Sequence, residues 1–124
     1  MHDDKVKLRS LLKARCDWVM LDVPCSGSGV LRRNPDLKWK YTNEKLQELI
    51  KLQHLILEES LHFLRDDSSK IVYATCSVLP EENQLQVANF CARHNFKIED
   101  NSYFLTFPES KGMDGFFSAT LVPK

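Results

Sequence analysis

The sequence predicts an α/β domain organised around parallel strands. Residues 18–22 and 71–75 are two short apolar stretches with hydrophobic side chains at both odd and even positions, which is typical of strands buried on both faces of a sheet. A long amphipathic stretch separates them, and a strand–helix–strand order favours a right-handed crossover between parallel neighbours. We therefore expect both strands to end at the same edge of one sheet, where α/β domains bind their ligands.

The composition is that of a globular domain of ordinary polarity. The 124 residues suit one small domain, with 43% hydrophobic and 27% charged residues. Basic and acidic residues number 17 each, so net charge neither supports nor excludes a nucleic-acid partner. No apolar run approaches the roughly 18 residues of a membrane span, and the polar start is unlike a secretory signal. The sequence therefore predicts a cytoplasmic protein without a membrane partner.

The first strand is expected to follow a peripheral helix and to end at a proline. Residues 5–15 carry apolar side chains at roughly helical spacing among lysines and arginines. Pro24 ends the strand because proline cannot donate to the ladder of a sheet, and it biases Val23 toward extended geometry. Asp22 and Cys25 should therefore lie at or just past the carboxyl edge of the sheet.

A basic stretch with aromatic residues, residues 30–41, follows the glycine-containing loop. Its positive charges include Arg32, Arg33 and Lys38, and Trp39 lies among them. This combination indicates the best nucleic-acid surface of the chain. On charge alone, a solvated loop whose Trp39 covers a core edge is the preferred interpretation, because clustered positive charge has several uses besides phosphate binding.

The next helix is predicted over about residues 42–65 and is assigned a scaffold role only. Thr42 or Asn43 can cap it, and leucines and isoleucines at spacings of three, four and seven give it an apolar stripe. His54 and His62 lie on this helix, but no second metal-binding group lies near them at a useful spacing. The sequence therefore predicts no metal site.

A further helix is predicted from about Pro80, after the second strand and Cys76. Proline suits a first helical turn, and the negative charges of Glu81 and Glu82 complement the positive end of the helix dipole. The Cys76 thiol is thus expected between the end of a strand and the start of a helix. Beyond that helix we predict a short strand at 96–99, an irregular connection over 101–113 and a last strand at 116–122.

The four cysteines are isolated from one another, without the close pairs of zinc sites and redox motifs, so reduced thiols are expected. Cys16 and Cys91 are interpreted as small core hydrophobes. Cys25 and Cys76 differ because each lies just past a strand end beside a serine, where the two could share a site. The pattern alone supports a thiol active site and a pair of structural thiols equally.

Several segments together resemble one protein family. Residues 22–29 (DVPCSGSG) and 73–77 (YATCS), the latter followed by residues 81–83 (EEN), are similar to the two cysteine motifs of the Sun/Nop2 family of RNA 5-methylcytosine methyltransferases. Residues 30–36 and 114–117 also resemble segments of that family. The likeness covers most of the chain and is greatest to the bacterial branch that methylates a cytosine of small-subunit ribosomal RNA.

The resemblance implies a partial Rossmann-like fold, mostly parallel with an antiparallel last strand. It also implies an enzyme that uses S-adenosylmethionine to methylate cytosine C5 in RNA, with ribosomal RNA as the expected partner. Cytosine C5 is a poor nucleophile until a group adds at C6, so the chemistry calls for a thiolate. By motif match Cys76 is that nucleophile and forms a covalent adduct, while Cys25 assists release of the methylated base. Asp22 would hydrogen-bond the cytosine edge and lie close to the methionine part of the cofactor. The implied contacts to the RNA backbone are Arg32, Arg33 and Lys38.

The chain also departs from the family pattern by an absence. The glycine-rich cofactor loop, the ribose-binding acid and the RNA-binding domain of such enzymes precede the segment resembled here, and this chain has none of them. Residues 1–124 are therefore interpreted as the carboxyl-terminal part of a methyltransferase catalytic domain, which needs the amino-terminal part of the same protein for a complete site. Two alternatives are a non-catalytic or truncated RNA-binding fragment, and a thiol hydrolase. The hydrolase ranks last because no histidine is predicted near Cys25 or Cys76.

Overall fold

Five strands and three α-helices make up the part of the chain that the computed structural model describes, residues 2–28, 43–107 and 115–124. In chain order they are α1 (His2–Leu12), β1 (Trp18–Asp22), α2 (Asn43–Ser60), β2 (Lys70–Thr75), α3 (Gln84–His94), β3 (Phe96–Ile98), β4 (Phe104–Thr106) and β5 (Phe116–Pro123). Single turns of 3-10 helix follow α2 at Leu61–Phe63 and β3 at Glu99–Asn101. None of these helices is both long and apolar enough to cross a membrane.

The strands form one mixed sheet in the order β1-β2-β5-β3, with β4 also paired to β5. β1 runs parallel to β2, whereas β5 is antiparallel to β2, β3 and β4. β1 to β4 therefore share one direction, and among the described strands only β5 opposes it. This confirms the predicted sheet, mostly parallel with an antiparallel last strand.

Two differences from the predicted boundaries concern the connection before β5 and the end of α2. The irregular connection predicted over 101–113 contains β4, which pairs with Phe116–Ser118 of β5. Because β3 occupies only residues 121–123 of β5, the edge beside Phe116–Ser118 is open to a three-residue strand that is too short for an alternating pattern to signal. The second difference is the end of α2 at Ser60, where a 3-10 turn replaces the last helical residues of the prediction.

The hydrophobic core lies between the sheet and the two helices α2 and α3. Its members on the strands alternate with half-buried residues, as expected for one covered face. The largest fully buried apolar side chains are Leu57, Ile71, Tyr73, Val87, Phe90, Phe117 and Leu121. The packing of α2 and α3 on this face also brings polar side chains of both helical regions to the loops at the strand ends.

The prediction that β1 is buried on both faces is wrong. Its residues alternate between exposed and half-buried, and Trp18 and Met20 remain 58% and 70% exposed. The physical reason is its position, since within the described residues β1 pairs with β2 alone and is an edge strand. An apolar groove between β1 and α2 lies beside it, lined by residues that include Val19, Leu52 and Leu55.

Candidate active site

Two loops leave the sheet side by side at the carboxyl ends of β1 and β2. We define the first cysteine loop as residues 23–28 and the second cysteine loop as residues 76–79. In the parallel register Asp22 lies opposite Ala74, and the Val23 N–H donates to the Ala74 carbonyl at 3.1 Å. This continued ladder starts both loops from the same edge of the sheet, as the strand–helix–strand order predicts.

Cys25 is a half-buried thiol of the first cysteine loop. Burial raises the pKa of the Cys25 thiol above its ordinary value. Hydrogen bonds from the backbone N–H groups of Gly27 and Cys76 to the sulfur oppose this shift, while the charge of Glu82 adds to it. Because burial prevails, Cys25 keeps its proton at neutral pH.

Cys76 is a partly exposed thiol between two fully buried neighbours, Thr75 and Ser77. The Asn83 side chain fastens both neighbours. Thr75 Oγ1 donates to Asn83 Oδ1 at 2.6 Å, and Asn83 Nδ2 donates to the Ser77 carbonyl at 2.8 Å. The Ser77 N–H also donates to Thr75 Oγ1 at 3.1 Å. The backbone around Cys76 is therefore held firmly while its side chain stays accessible.

Glu82 lies between the two loops. The sequence predicts that it complements the dipole of α3, but α3 begins only at Gln84 and the Glu82 side chain is fully buried. Its carboxylate accepts hydrogen bonds from the Ser26 N–H and the Ser26 hydroxyl, both at 2.7 Å, and from the Ser77 hydroxyl. One carboxylate thus binds the first and the second cysteine loop together.

The Gln53 side chain of α2 binds the first cysteine loop. It is fully buried, and its Nε2 donates to the Pro24 carbonyl at 2.8 Å and to Glu82 Oε1 at 3.2 Å. Its Oε1 accepts from Gln86 Nε2 of α3 at 3.2 Å. The assignment of α2 as scaffold alone is therefore too narrow. The signal in the sequence is a polar residue at the apolar stripe position between Ile50 and Leu57.

Ser28 makes a second link between the loops. Its hydroxyl lies 3.1 Å from the Ser77 hydroxyl and accepts the Val78 N–H at 3.0 Å. Since the Ser77 hydroxyl donates to Glu82, the Ser28 hydroxyl is the donor to Ser77. Gly27 precedes it with a φ of 73°, in the left-handed region that glycine adopts most readily.

The other predicted site residues are an acid at the end of β1 and three basic residues. Asp22 ends β1, and its exposed side chain has no hydrogen bond or ion pair to residues within the described ranges, which leaves it available to a ligand. The predicted RNA contacts lie outside the described residues, so their side chains are not placed: Arg32, Arg33 and Lys38. No group of three or more His, Cys, Asp or Glu in the described ranges could hold a metal ion.

Comparison with known sequences gives a consistent result. A family model described as 16S rRNA methyltransferase RsmB/F matches residues 1–122. The chain is 40% identical over 114 residues to a ribosomal RNA small subunit methyltransferase B of Photorhabdus laumondii, which covers 87% of this chain and 26% of that protein. A protein of the same name from Shewanella oneidensis is 35% identical over 133 residues, covering 98% and 31%. The chain thus spans about a quarter to a third of these curated relatives.

Solved structures agree with this result. The crystal structure of PH0851 superimposes with a TM-score of 0.81 at 29% identity, covering 90% of this chain and 27% of that chain. NSun6 from Pyrococcus horikoshii, solved with SFG, gives a TM-score of 0.64 at 26% identity, covering 83% and 29%. A methyltransferase homolog protein from Pyrococcus horikoshii has the same fold, with a TM-score of 0.71 at 23% identity, covering 87% and 39%. These matches confirm the predicted partial Rossmann-like fold.

Proposed function

Because the chain belongs to the RsmB/F family of 16S rRNA methyltransferases, as its resemblance to the Sun/Nop2 family predicts, we propose that it carries the catalytic thiols of an RNA methyltransferase. The enzyme would transfer a methyl group from S-adenosylmethionine to C5 of a cytosine in ribosomal RNA. One observation supports this proposal above all. Cys25 and Cys76, 51 residues apart in the sequence, lie on adjacent loops at the ligand-binding edge of the sheet.

The residues of this chain fit one end of the cofactor. The exposed Asp22 carboxylate at the end of β1 suits the positively charged amino group in the methionine part of S-adenosylmethionine, and it can also accept a hydrogen bond from the cytosine edge. When bound, S-adenosylmethionine supplies an electrophilic methyl group. Asp22 would therefore hold the reacting partners beside the two loops.

Cys76 is proposed as the nucleophile. Its thiolate adds to C6 of cytosine, which forms a sulfur–carbon bond and shifts the C5–C6 double-bond electrons toward C5. C5 would then bond to the methyl group, whose bond to the sulfonium sulfur would break and leave the neutral thioether S-adenosylhomocysteine. Removal of the C5 proton by a base restores the double bond and expels the Cys76 thiolate. The partial exposure of Cys76 suits this role, because the sulfur must reach a base turned out of the RNA stack.

Cys25 is proposed to assist the release of the methylated base. Burial raises its pKa, so the thiol keeps its proton at neutral pH and is a poor nucleophile. The hydrogen bond that its sulfur receives from the Cys76 backbone N–H supports this role, because the bond to C6 would break at the side chain of the same residue. The raised pKa of Cys25 therefore supports the role that its motif implies.

Contacts to the RNA backbone are proposed for three basic residues after the first cysteine loop: Arg32, Arg33 and Lys38. Positive side chains bind phosphate without reading sequence, so these residues would orient the RNA rather than select the cytosine. Because its substrate would be ribosomal RNA, the enzyme is also proposed to lie in the cytoplasm.

The chain is further proposed to be the carboxyl-terminal part of a catalytic domain. It spans about a quarter of the Photorhabdus relative, and β1 presents an open edge beside an apolar groove in the described structure. An amino-terminal part of the same protein would supply the glycine-rich cofactor loop, cover this edge and carry the RNA-binding domain. The rival proposal, a non-catalytic or truncated RNA-binding fragment, predicts RNA binding without methyl transfer.

The test is methyl transfer by the full-length protein that contains this chain. Small-subunit ribosomal RNA and methyl-labelled S-adenosylmethionine are incubated with the protein, and the nucleosides are separated after digestion. We expect label in 5-methylcytosine at one site. Label in another nucleoside would contradict the proposed chemistry, and RNA binding without any label would favour the rival proposal.

A further inference from the structure

The Glu82 carboxylate is buried with an unusual set of partners. Burying a carboxylate is costly unless hydrogen-bond donors replace water at its oxygens. Four donors do so here: the Ser26 N–H, the Ser26 hydroxyl, the Ser77 hydroxyl and Gln53 Nε2. None of the four is a charged group. The stability of the buried carboxylate therefore depends on the two loops and α2 lying in one particular arrangement.

The serines among these donors directly follow the two cysteines in the sequence. Glu82 Oε2 accepts from one serine of each loop, and Ser26 follows Cys25 just as Ser77 follows Cys76. Glu82 Oε1 also accepts the Ser26 N–H, which belongs to the peptide group that begins at Cys25. A single carboxylate thus joins the residues that follow the two cysteines, in addition to the link through Ser28.

We propose that Glu82 is a positioning residue that sets the separation and orientation of the Cys25 and Cys76 thiols by binding the serine that follows each of them. This inference rests on the proposed function for its catalytic meaning, but the geometry it asserts is independent of methyl transfer. Glu82 contacts neither the reacting atoms nor a cofactor in this assignment. Its role is to keep two loops from distant parts of the chain in register with one another.

A purely structural role makes a different prediction, and Tyr73 provides the matched control. The buried Tyr73 hydroxyl donates to the backbone carbonyl of Glu82 at 2.6 Å, so Tyr73→Phe removes a buried hydrogen bond from the same residue without touching either loop. Glu82→Gln keeps the size of the side chain, but its amide nitrogen cannot accept hydrogen bonds. If Glu82 only stabilises the core, the two variants should affect the thiols alike.

The experiment uses the full-length protein and a short bis-alkylating reagent that can join two neighbouring thiols. Mass spectrometry measures the yield of the Cys25–Cys76 cross-link and the total alkylation of each cysteine. We expect a clear cross-link in the unchanged protein and in Tyr73→Phe, and a several-fold lower yield in Glu82→Gln. An unchanged yield in Glu82→Gln, or an equal loss in Tyr73→Phe, would overturn the proposal.

Two further measurements complete the test. If Glu82→Gln does not fold, the paired change Ser26→Ala with Ser77→Ala removes the two serine donors from Glu82 Oε2 and is expected to lower the cross-link yield in the same way. In a single turnover with RNA, Glu82→Gln should slow formation of the Cys76 adduct by at least about tenfold while the affinity for S-adenosylmethionine is kept. Absence of methyl transfer in the unchanged protein would contradict the proposed function, yet it would leave the cross-linking result intact.

Discussion

The two thiols of the candidate site differ in their surroundings although their motifs look alike. Cys25 and Cys76 are both half-buried, but they make different contacts. The Cys25 sulfur receives the backbone N–H groups of Gly27 and Cys76, whereas the residues on either side of Cys76 are held by the Asn83 side chain. The proposed division of roles follows from the motifs in which the two thiols lie.

The division of roles predicts different trapped species in the full-length protein. Cys25→Ala should allow the bond to C6 to form but slow its release, so a protein–RNA adduct should accumulate. Cys76→Ala removes the nucleophile and should give neither product nor adduct, and the double variant should behave like Cys76→Ala. Denaturing gels of each variant with target RNA and cofactor measure this. An adduct with Cys76→Ala and none with Cys25→Ala would reverse the two assignments.

The buried thiols also predict how stability depends on pH. Burial raises the pKa of Cys25, and it raises the pKa of Cys91 against the opposing charge of Lys124. Thiols in the unfolded chain ionise at about pH 8.5. Above that pH the cysteines of the unfolded state lose protons that they retain in the folded state. The free energy of unfolding should therefore be unaffected by these groups below that value and fall as pH rises above it.

Urea unfolding between pH 7 and pH 10 tests this dependence. The double variant Cys25→Ala with Cys91→Ala should lose less stability over this range than the unchanged protein. Equal slopes for the two proteins would show that the thiols are not protected by the fold.

Among the helices, α2 contributes a buried polar side chain to the support of the site. Its apolar stripe packs on the core through Leu57, while Gln53 on the same stripe binds the Pro24 carbonyl, Glu82 and Gln86. One helix thereby stabilises the core and holds the first cysteine loop. The spacing that makes α2 amphipathic also places Gln53 beside the first cysteine loop.

This arrangement predicts a large effect for a change that keeps the apolar stripe. Gln53→Leu is expected to destabilise the protein by about 1–3 kcal/mol, because it removes the hydrogen bonds that a fully buried amide makes with the Pro24 carbonyl, Glu82 and Gln86. Gln47→Leu is the control, since Gln47 is exposed on the same helix and should change stability by less than about 0.5 kcal/mol. Urea unfolding of both variants measures the difference. Equal effects would mean that the buried amide contributes nothing specific.

For the molecule as a whole, the exposure of β1 is the dominant feature. An edge strand with exposed Trp18 and Met20 beside an apolar groove offers both unpaired backbone groups and apolar surface. Such edges favour association with other chains. In the proposed enzyme the amino-terminal part of the same protein covers this surface.

The 124-residue chain alone is therefore expected to self-associate, which light scattering at increasing concentration would detect. Met20→Lys should reduce the association because a charge on an edge strand opposes pairing. Leu85→Lys is the control, since Leu85 is 58% exposed on α3, away from this edge. A monomer with sharp cooperative unfolding at high concentration would contradict this expectation.

Cofactor binding gives the second prediction at this scale. The chain alone has Asp22, but no Gly-x-Gly-x-x-Gly pattern follows a strand and the ribose-binding acid is missing, so its affinity for S-adenosylmethionine should be weak. Calorimetry should show no binding in the micromolar range, whereas the full-length protein should bind. A dissociation constant in the low micromolar range for the chain alone would place the cofactor site on other residues.

The sequence by itself determined the main elements and the approximate position of the site. β1, β2, α2 and α3 each have a local period or punctuation that short-range rules can identify, including the proline after β1. The meeting of Cys25 and Cys76 then follows from the parallel direction of two neighbouring strands joined by a crossover, which puts both carboxyl ends at one edge of the sheet. These inferences succeed because they depend on neighbouring residues and on one general rule of chain topology.

Only the tertiary structure decided what holds the site together. Glu82 binds Ser26 across 56 residues and Gln53 across 29, and no spacing in the sequence signals either contact. The exposure of β1 and the existence of β4 likewise depend on which strands lie beside them, rather than on their own residues. The physical reason is the same in each case: hydrogen-bond partners and burial are set by the packing of elements that are distant in the chain.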